Sequence, residues 1–186
     1  NIGRPSGNRA GIREPGHAGG ELPRPNRHER LARALAETKP DLVFACYGMN
    51  DGIYQPFSEE RFSAFRDGMQ RLVTAVREAG VPRVLMTPPA FDALPIMDRT
   101  LPDRQAEYPG DKPYRHYDQV LGRYADWTLE TWGAPERQDP SLQRLSVDRP
   151  LVLDVHGTMN AHIAARREDA PRYTVSPDGV HPDGFG

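Results

Sequence analysis

The sequence predicts an α/β fold built on a parallel β-sheet. Three short apolar segments, at 41–47, 83–87 and 151–155, have the length and composition of strands in such a sheet. Longer segments with apolar residues at intervals of three and four lie between them, as expected of helices that connect parallel strands. This alternation of strands and helices is typical of layered α/β domains.

The first part of the chain has two predicted elements, a helix and a strand. A helix is predicted at 26–38, because Leu31 and Leu35 lie four residues apart on one face. The strand at 41–47 is an unbroken apolar run after its first residue, which predicts burial on both faces of the sheet. Residues 3–25 are rich in Gly and Pro without any period and predict a loop.

The best-defined helix is predicted at 58–79. Ser58 is a favourable N-cap, two acidic residues follow it at the positive end of the helix dipole, and Gly80 suits the position after the helix. Its predicted buried stripe consists of Phe62, Phe65, Met69, Leu72, Val73 and Val76. The strand at 83–87 follows directly.

The second half of the chain alternates long loops with regular elements. Residues 88–113 are rich in Pro and Asp and predict a long loop insertion, and a loop of this length is usually functional or mobile. Further elements are predicted as a helix at 114–132, a polar loop at 133–149, a strand at 151–155, a helix at 158–170 and a loop at 173–186.

Composition excludes several classes of function. The chain has 186 residues, consistent with a single domain, and its formal net charge of −2 argues against nucleic acid as a main partner. No apolar run approaches the 18 residues of a membrane span. Cys46 is the only cysteine, which excludes an internal disulfide and a cysteine-based zinc site.

Parallel sheets bind ligands at the carboxyl ends of their strands, so the residues after each strand are the candidates for chemistry. Asn50 follows the first strand within the segment 48–52. An asparagine amide there can stabilise a developing oxyanion, an effect often worth about 3 kcal/mol. The alternative is a plain turn, since Asn-Asp-Gly favours turns.

A second candidate site lies near the end of the chain. Asp178 precedes His181 by three residues in a loop, a spacing that allows the carboxylate to bond the imidazole and fix its tautomer. The alternative is a solvated loop with an incidental pair. His156, two residues after Asp154, is either a metal ligand or a residue at the end of a strand. Gly7, after Ser6, either presents its N–H to a ligand or makes a turn.

Taken together, these segments resemble the SGNH (GDSL-like) hydrolase family. The sequence has a G-x-N-D motif at 48–51 and a D-x-x-H-P motif at 178–182, in the family's order. Residues 1–7 are similar to the family's second block, and residues 39–43 to the approach to its third. The resemblance covers nearly the whole chain and is weakest at 88–149.

The resemblance implies a flavodoxin-like, three-layer α/β/α domain that hydrolyses acyl or acetyl esters through a serine. It implies that His181 is the general base, that Asp178 orients it, and that Asn50 and the Gly7 N–H form the oxyanion hole. Gly3 competes with Gly7 for that role. No metal and no cofactor are implied. The resemblance implies a small-molecule or carbohydrate ester as substrate. Phe91, Tyr108 and Tyr114, in and next to the long loop, are candidates to cover a sugar ring or a short acyl chain.

One departure from the family concerns the nucleophile. Its serine belongs to a G-D-S block on a strand before the second block, whereas this chain begins at the second block. We therefore expect residues 1–186 to be one hydrolase domain truncated at both ends, without its first strand and last helix, and inactive alone. The nucleophile would lie upstream of Asn1.

Two other functions remain open at this point. A degenerate nucleophile block would make the chain a non-catalytic module that binds carbohydrate or another ligand on the same fold. An unrelated nucleotide or flavin binder would need a glycine-rich loop that opens a helix. The glycines of 16–20 precede a Pro-rich run instead, which disfavours this third function.

Overall fold

A computed structural model describes residues 27–109, 112–133 and 145–183 of the chain. Three strands form an all-parallel sheet in the order β1-β2-β3: β1 Val43–Cys46, β2 Arg83–Met86 and β3 Leu151–Leu153. The register pairs Ala45 with Leu85 and Leu85 with Val152. The predicted α/β fold with a parallel sheet is confirmed.

One helix precedes the first strand, and the others lie between and after the strands. They are α1 Arg27–Thr38, α2 Glu59–Glu78, α3 Tyr117–Trp132 and α4 Val155–Asp169, with a short 3-10 helix at Leu94–Arg99. Helix α2 agrees closely with its prediction. The Ser58 hydroxyl accepts the Arg61 N–H at 3.3 Å, and Gly80 has the positive φ of +74° that favours glycine.

The hydrophobic core lies between the sheet and the helices α2 and α3. Because side chains alternate along a strand, Ala45, Leu85 and Val152 share one face of the sheet. The helical residues buried in this core are Phe65, Met69, Leu72 and Val76 from α2 and Tyr117, Val120, Leu121 and Tyr124 from α3. These residues fix both helices against the strands that lead into the candidate site.

The opposite face of β1 differs from the prediction. Phe44 is 63 % exposed, and Cys46 is exposed beside it, so the prediction that this strand is buried on both faces is wrong for the described part of the chain. The apolar run of the sequence is compatible with one buried face as well as with two, because burial depends on which layers cover the sheet.

The segment 88–113 was predicted to be a loop without regular structure, and this is only partly correct. It contains the 3-10 helix, and Phe91 and Ile96 are buried in the core. Phe91 therefore does not face a substrate, contrary to its predicted role. The two rings that remain candidates, Tyr108 and Tyr114, lie 5.5 Å apart at the surface end of this segment.

Helix α4 begins earlier than predicted. The Asp154 carboxylate accepts the Gly157 N–H at 2.9 Å and caps the helix, so β3 is shorter and His156 belongs to the first helical turn rather than to the end of a strand. Within the described residues, no helix is long and apolar enough to cross a membrane.

Replacement of Leu85 tests the placement of the core. Leu85→Ala removes a fully buried side chain from the central strand and should lower the free energy of unfolding by about 2–5 kcal/mol. Leu153→Ala is the matched control, because Leu153 is 39 % exposed and should cost well under about 1 kcal/mol. Urea unfolding of both variants measures the difference, and equal losses would contradict the core described here.

Candidate functional site

A tight turn directly after β1 carries Asn50. The Asp51 carboxylate accepts the Gly48 N–H at 3.0 Å, and the Asp51 N–H returns to the Gly48 carbonyl at 3.2 Å. Gly48 has a φ of +117°, and a Cβ there would lie 3.0 Å from the Pro88 Cβ. Glycine is therefore required both by the backbone conformation and by the close approach of the segment after β2.

The Asn50 side chain is exposed and is held by Tyr54. Its Oδ1 accepts the Tyr54 hydroxyl at 2.8 Å, while its Nδ2 donates to no other described residue. This arrangement orients the amide, so that its NH2 group is available for a further acceptor. An exposed, oriented amide donor after a strand is what oxyanion stabilisation requires.

Sequence analysis did not identify Tyr54, the residue that holds the amide. Ile53 and Tyr54 have φ values of +49° and +58°, which are unusual for residues with side chains. The conformation is held by packing of the Tyr54 ring on Tyr117, with centroids 5.1 Å apart, and by the Tyr114 N–H, which donates to the Tyr54 carbonyl at 2.8 Å. No sequence pattern marks this residue, because its contacts come from segments distant in the chain.

Asp178 and His181 are in direct contact. The Asp178 Oδ2 lies 2.7 Å from the His181 Nδ1, and the Asp178 Oδ1 accepts the backbone N–H groups of Val180 and His181 at 2.9 and 2.7 Å. Gly179, with a φ of +84°, makes the turn that brings the two side chains together. The His181 side chain is 82 % exposed, and its Nε2 has no hydrogen-bond partner among the described residues.

The surroundings of Asp178 favour its ionised form. Desolvation by itself would raise the pKa of the Asp178 carboxyl. The hydrogen bonds from the His181 backbone and side chain and from the Val180 backbone, with the charge of His181, outweigh it and lower the pKa to about 2. Asp178 is therefore a carboxylate at neutral pH and can hold the Nδ1 proton of the imidazole.

Tyr54 connects the two parts of the candidate site. Its hydroxyl bonds Asn50, and burial together with the nearby negative charge of Asp178 raises the pKa of that hydroxyl. Met49, Tyr54 and Val180 also pack against the same hydrophobic core. Tyr54 of the turn region and Asp178 of the His181 loop are therefore close enough to interact electrostatically, although more than a hundred residues separate them in sequence.

The described serines offer no hydroxyl to His181. Ser58 caps α2, the Ser146 hydroxyl accepts the Asp148 N–H at 3.1 Å, and Ser176 is fully buried with its Oγ unpaired. Ser63 lies within α2. The predicted oxyanion residue Gly7, its competitor Gly3 and the serines Ser6 and Ser141 lie outside the described residues.

The other histidine named above occupies a separate polar cluster. The His156 Nε2 lies 3.2 Å from the Asn160 Nδ2 and 3.7 Å from the Asp118 Oδ2. In the part of the chain that is described, no group of three or more His, Cys, Asp or Glu side chains is arranged to hold a metal ion. Among the described residues, His156 therefore has no neighbours that would complete a metal site with it.

No family model matches the chain, and neither do the curated proteins or the solved structures with which it was compared. The resemblance to the SGNH hydrolases therefore depends on the sequence motifs alone.

The titration of Asp178 tests this electrostatic description. Carbon-detected NMR of the side-chain carboxyl should give a midpoint of about 2, and His181→Ala should raise it toward the ordinary value of about 3.9 because one hydrogen bond and one charge are lost. His116→Ala, which removes another histidine near a carboxylate, is the control and should leave the pKa of Asp178 unchanged.

Because the pKa of Asp178 is lower in the folded protein than in the unfolded chain, the stability of the fold depends on pH. Asp178 stabilises the fold above about pH 4, and this contribution is lost as the pH falls through about 2. An Asp178 midpoint near the ordinary value in the unmodified protein would show that the contact with His181 does not form in solution.

Proposed function

We propose that the protein is a serine ester hydrolase of the SGNH type, which cleaves acyl or acetyl esters through an acyl-enzyme. The observation that carries the proposal is the 2.7 Å contact between Asp178 and the Nδ1 of His181, whose side chain is largely exposed at Nε2. An imidazole held at one nitrogen and open at the other is the arrangement of a general base.

In the proposed reaction, Asp178 accepts the Nδ1–H of His181, so that Nε2 carries a lone pair. Nε2 removes the proton of a serine hydroxyl as the serine oxygen attacks the ester carbonyl carbon. His181 then protonates the departing alcohol, and an acyl-enzyme remains. Water, deprotonated by the same nitrogen, then attacks the acyl carbon. The bond to the serine oxygen breaks, the acid is released, and His181 returns the proton to the serine oxygen.

Asn50 supplies the second part of the proposed machinery. Its Nδ2 would donate to the oxyanion that forms when the carbonyl is attacked, together with the backbone N–H of Gly7 (or of Gly3). The Tyr54 hydroxyl supports this role because it already occupies the Asn50 Oδ1 at 2.8 Å. An amide that is already oriented needs little free energy to reorganise during the reaction, and this makes such donors effective.

The nucleophile is proposed to be a serine upstream of Asn1, on a further strand of a flavodoxin-like sheet. Two features of the described residues support an additional strand and layer. In the described sheet β1 pairs with β2 alone, so its other edge has backbone groups available for pairing. Phe44 and Cys46 leave an apolar patch on the sheet face that α2 and α3 do not cover.

The proposed substrate is a small ester, with acetylated carbohydrate favoured. The segments of Tyr108 and Tyr114 contact the residues that follow the Asn50 turn, because the Tyr114 N–H donates to the Tyr54 carbonyl and the Gln55 Nε2 donates to the Tyr108 carbonyl at 3.0 Å. Aromatic rings can pack against the apolar face of a sugar.

A ligand-binding module on the same fold is the second candidate. The observation that favours it is that none of the described serine hydroxyls reaches His181. The coding sequence upstream of Asn1 distinguishes the two: a strand that ends in Gly-Asp-Ser supports the hydrolase, and a strand without a serine supports the binding module.

Substitution of the proposed machinery tests the hydrolase directly. In the protein expressed with its upstream sequence, His181→Ala should abolish hydrolysis of p-nitrophenyl acetate and of acetylated xylose. Asn50→Ala should lower kcat by about 100-fold or more while the fold stays intact, because a transition-state donor is lost.

The control for these variants is His162→Ala, which removes an exposed histidine that contacts Tyr173 at 2.9 Å and should retain activity. Circular dichroism of each variant separates loss of catalysis from loss of fold. Full activity of His181→Ala would contradict the proposed base, and an Asn50→Ala variant that fails only by unfolding would make Asn50 a turn residue.

A further inference from the structure

The loop of Asp178 and His181 is attached to the rest of the fold through Gly179. The Asp92 N–H, in the segment after β2, donates to the Gly179 carbonyl at 3.0 Å. A Cβ on Gly179 would lie 2.8 Å from the Asp92 carbonyl oxygen and 2.9 Å from the Ile96 Cδ1, so the two backbones are in close contact. The position of Asp92 therefore sets the position of the turn that joins the carboxylate and the imidazole.

Asp92 is in turn held by Arg167 of α4. The Arg167 Nη2 lies 2.7 Å from the Asp92 Oδ2, and the Asp92 side chain is only 5 % exposed. The other carboxylate oxygen of Asp92 accepts the Leu94 N–H at 3.1 Å. A carboxylate this deeply buried needs a cation, because an unpaired buried charge is strongly unfavourable.

The same guanidinium also holds the beginning of the loop. The Arg167 Nε donates to the Tyr173 carbonyl at 2.9 Å, five residues before Asp178. A single side chain therefore fixes the loop at Tyr173 directly and at Gly179 through Asp92. The planar guanidinium suits this double contact, since its N–H groups point in two fixed directions.

From these contacts we infer that Arg167 and Asp92 are a positioning pair, which holds the Asp178–His181 dyad in its working geometry. This inference rests on the proposed function, because a dyad needs positioning only if it performs chemistry. Neither side chain contacts the imidazole: Asp92 acts through the backbone of Gly179, and Arg167 acts through Asp92 and through the Tyr173 carbonyl. The pair is 75 residues apart in sequence and joins α4 to the segment after β2.

Arg167→Gln tests the inference with a measurement on the dyad itself. Without the Arg167 cation, we expect Asp92 to shift so that its carboxylate reaches water. The Gly179 carbonyl then loses the hydrogen bond from the Asp92 N–H, and the hydrogen bonds of Asp178 to Val180 and His181 weaken. The pKa of Asp178 should rise from about 2 toward about 3.9 in the folded variant, and the low-field proton signal of the His181 Nδ1–H should disappear. A role in stability alone would move neither signal.

Arg66→Gln is the matched control, because it removes the same charge from an exposed pair, Arg66 and Glu59, 3.2 Å apart on α2. It should leave both signals of the dyad unchanged. If Arg167→Gln does not fold, Arg167→Lys replaces it in the test, because lysine keeps the charge near Asp92 but lacks the forked geometry of the guanidinium. An Asp178 midpoint that is higher in Arg167→Lys than in the unmodified protein supports the inference.

Two results would overturn the positioning pair. One is a folded Arg167→Gln variant in which the Asp178 midpoint and the His181 proton signal match the unmodified protein. The other, where only Arg167→Lys folds, is an unchanged Asp178 midpoint in that variant. Absence of ester hydrolysis in the protein with its upstream sequence would instead contradict the proposed function, so the two failures are distinguishable.

Discussion

The parallel pairing of β1, β2 and β3 is the constraint on which the candidate site depends. It brings the carboxyl ends of the three strands to one edge of the sheet, where the segments that follow them contact one another. Pro88, after β2, packs against Gly48, after β1. The Thr87 hydroxyl accepts the His156 N–H at 2.9 Å and so joins the segments after β2 and β3. Among the described candidates, Asn50 follows β1 directly at this edge.

Local backbone conformation then selects which side chains are presented at that edge. Gly48 and Gly179 adopt positive φ and allow sharp turns, whereas Ile53 and Tyr54 adopt it at a cost of about 1–3 kcal/mol each. The rest of the structure offsets this cost through Tyr117 and Tyr114, which fix Tyr54 against Asn50. Strain of this kind is found where a side chain must be held in one orientation, which agrees with the role proposed for the Asn50 amide.

Sequence reasoning was most successful where one local pattern controls the structure. Helix α2 could be predicted with its cap, its buried stripe and its terminal glycine, and the contact that the spacing of Asp178 and His181 allows is present. Features that depend on distant segments could not be predicted. The exposure of Phe44 depends on what covers the sheet, the burial of Phe91 on how the long segment folds back, and the pairing of Asp92 with Arg167 on contact between remote elements.

The central claim is that His181, oriented by Asp178, activates a serine. The most direct measurement is covalent labelling of the protein, expressed with its upstream sequence, by a fluorophosphonate, followed by peptide mapping. Our account predicts a single modified serine upstream of Asn1, and almost complete loss of labelling in His181→Ala, because the hydroxyl is a weak nucleophile without its base. Absence of labelling, or equal labelling with and without His181, would contradict it.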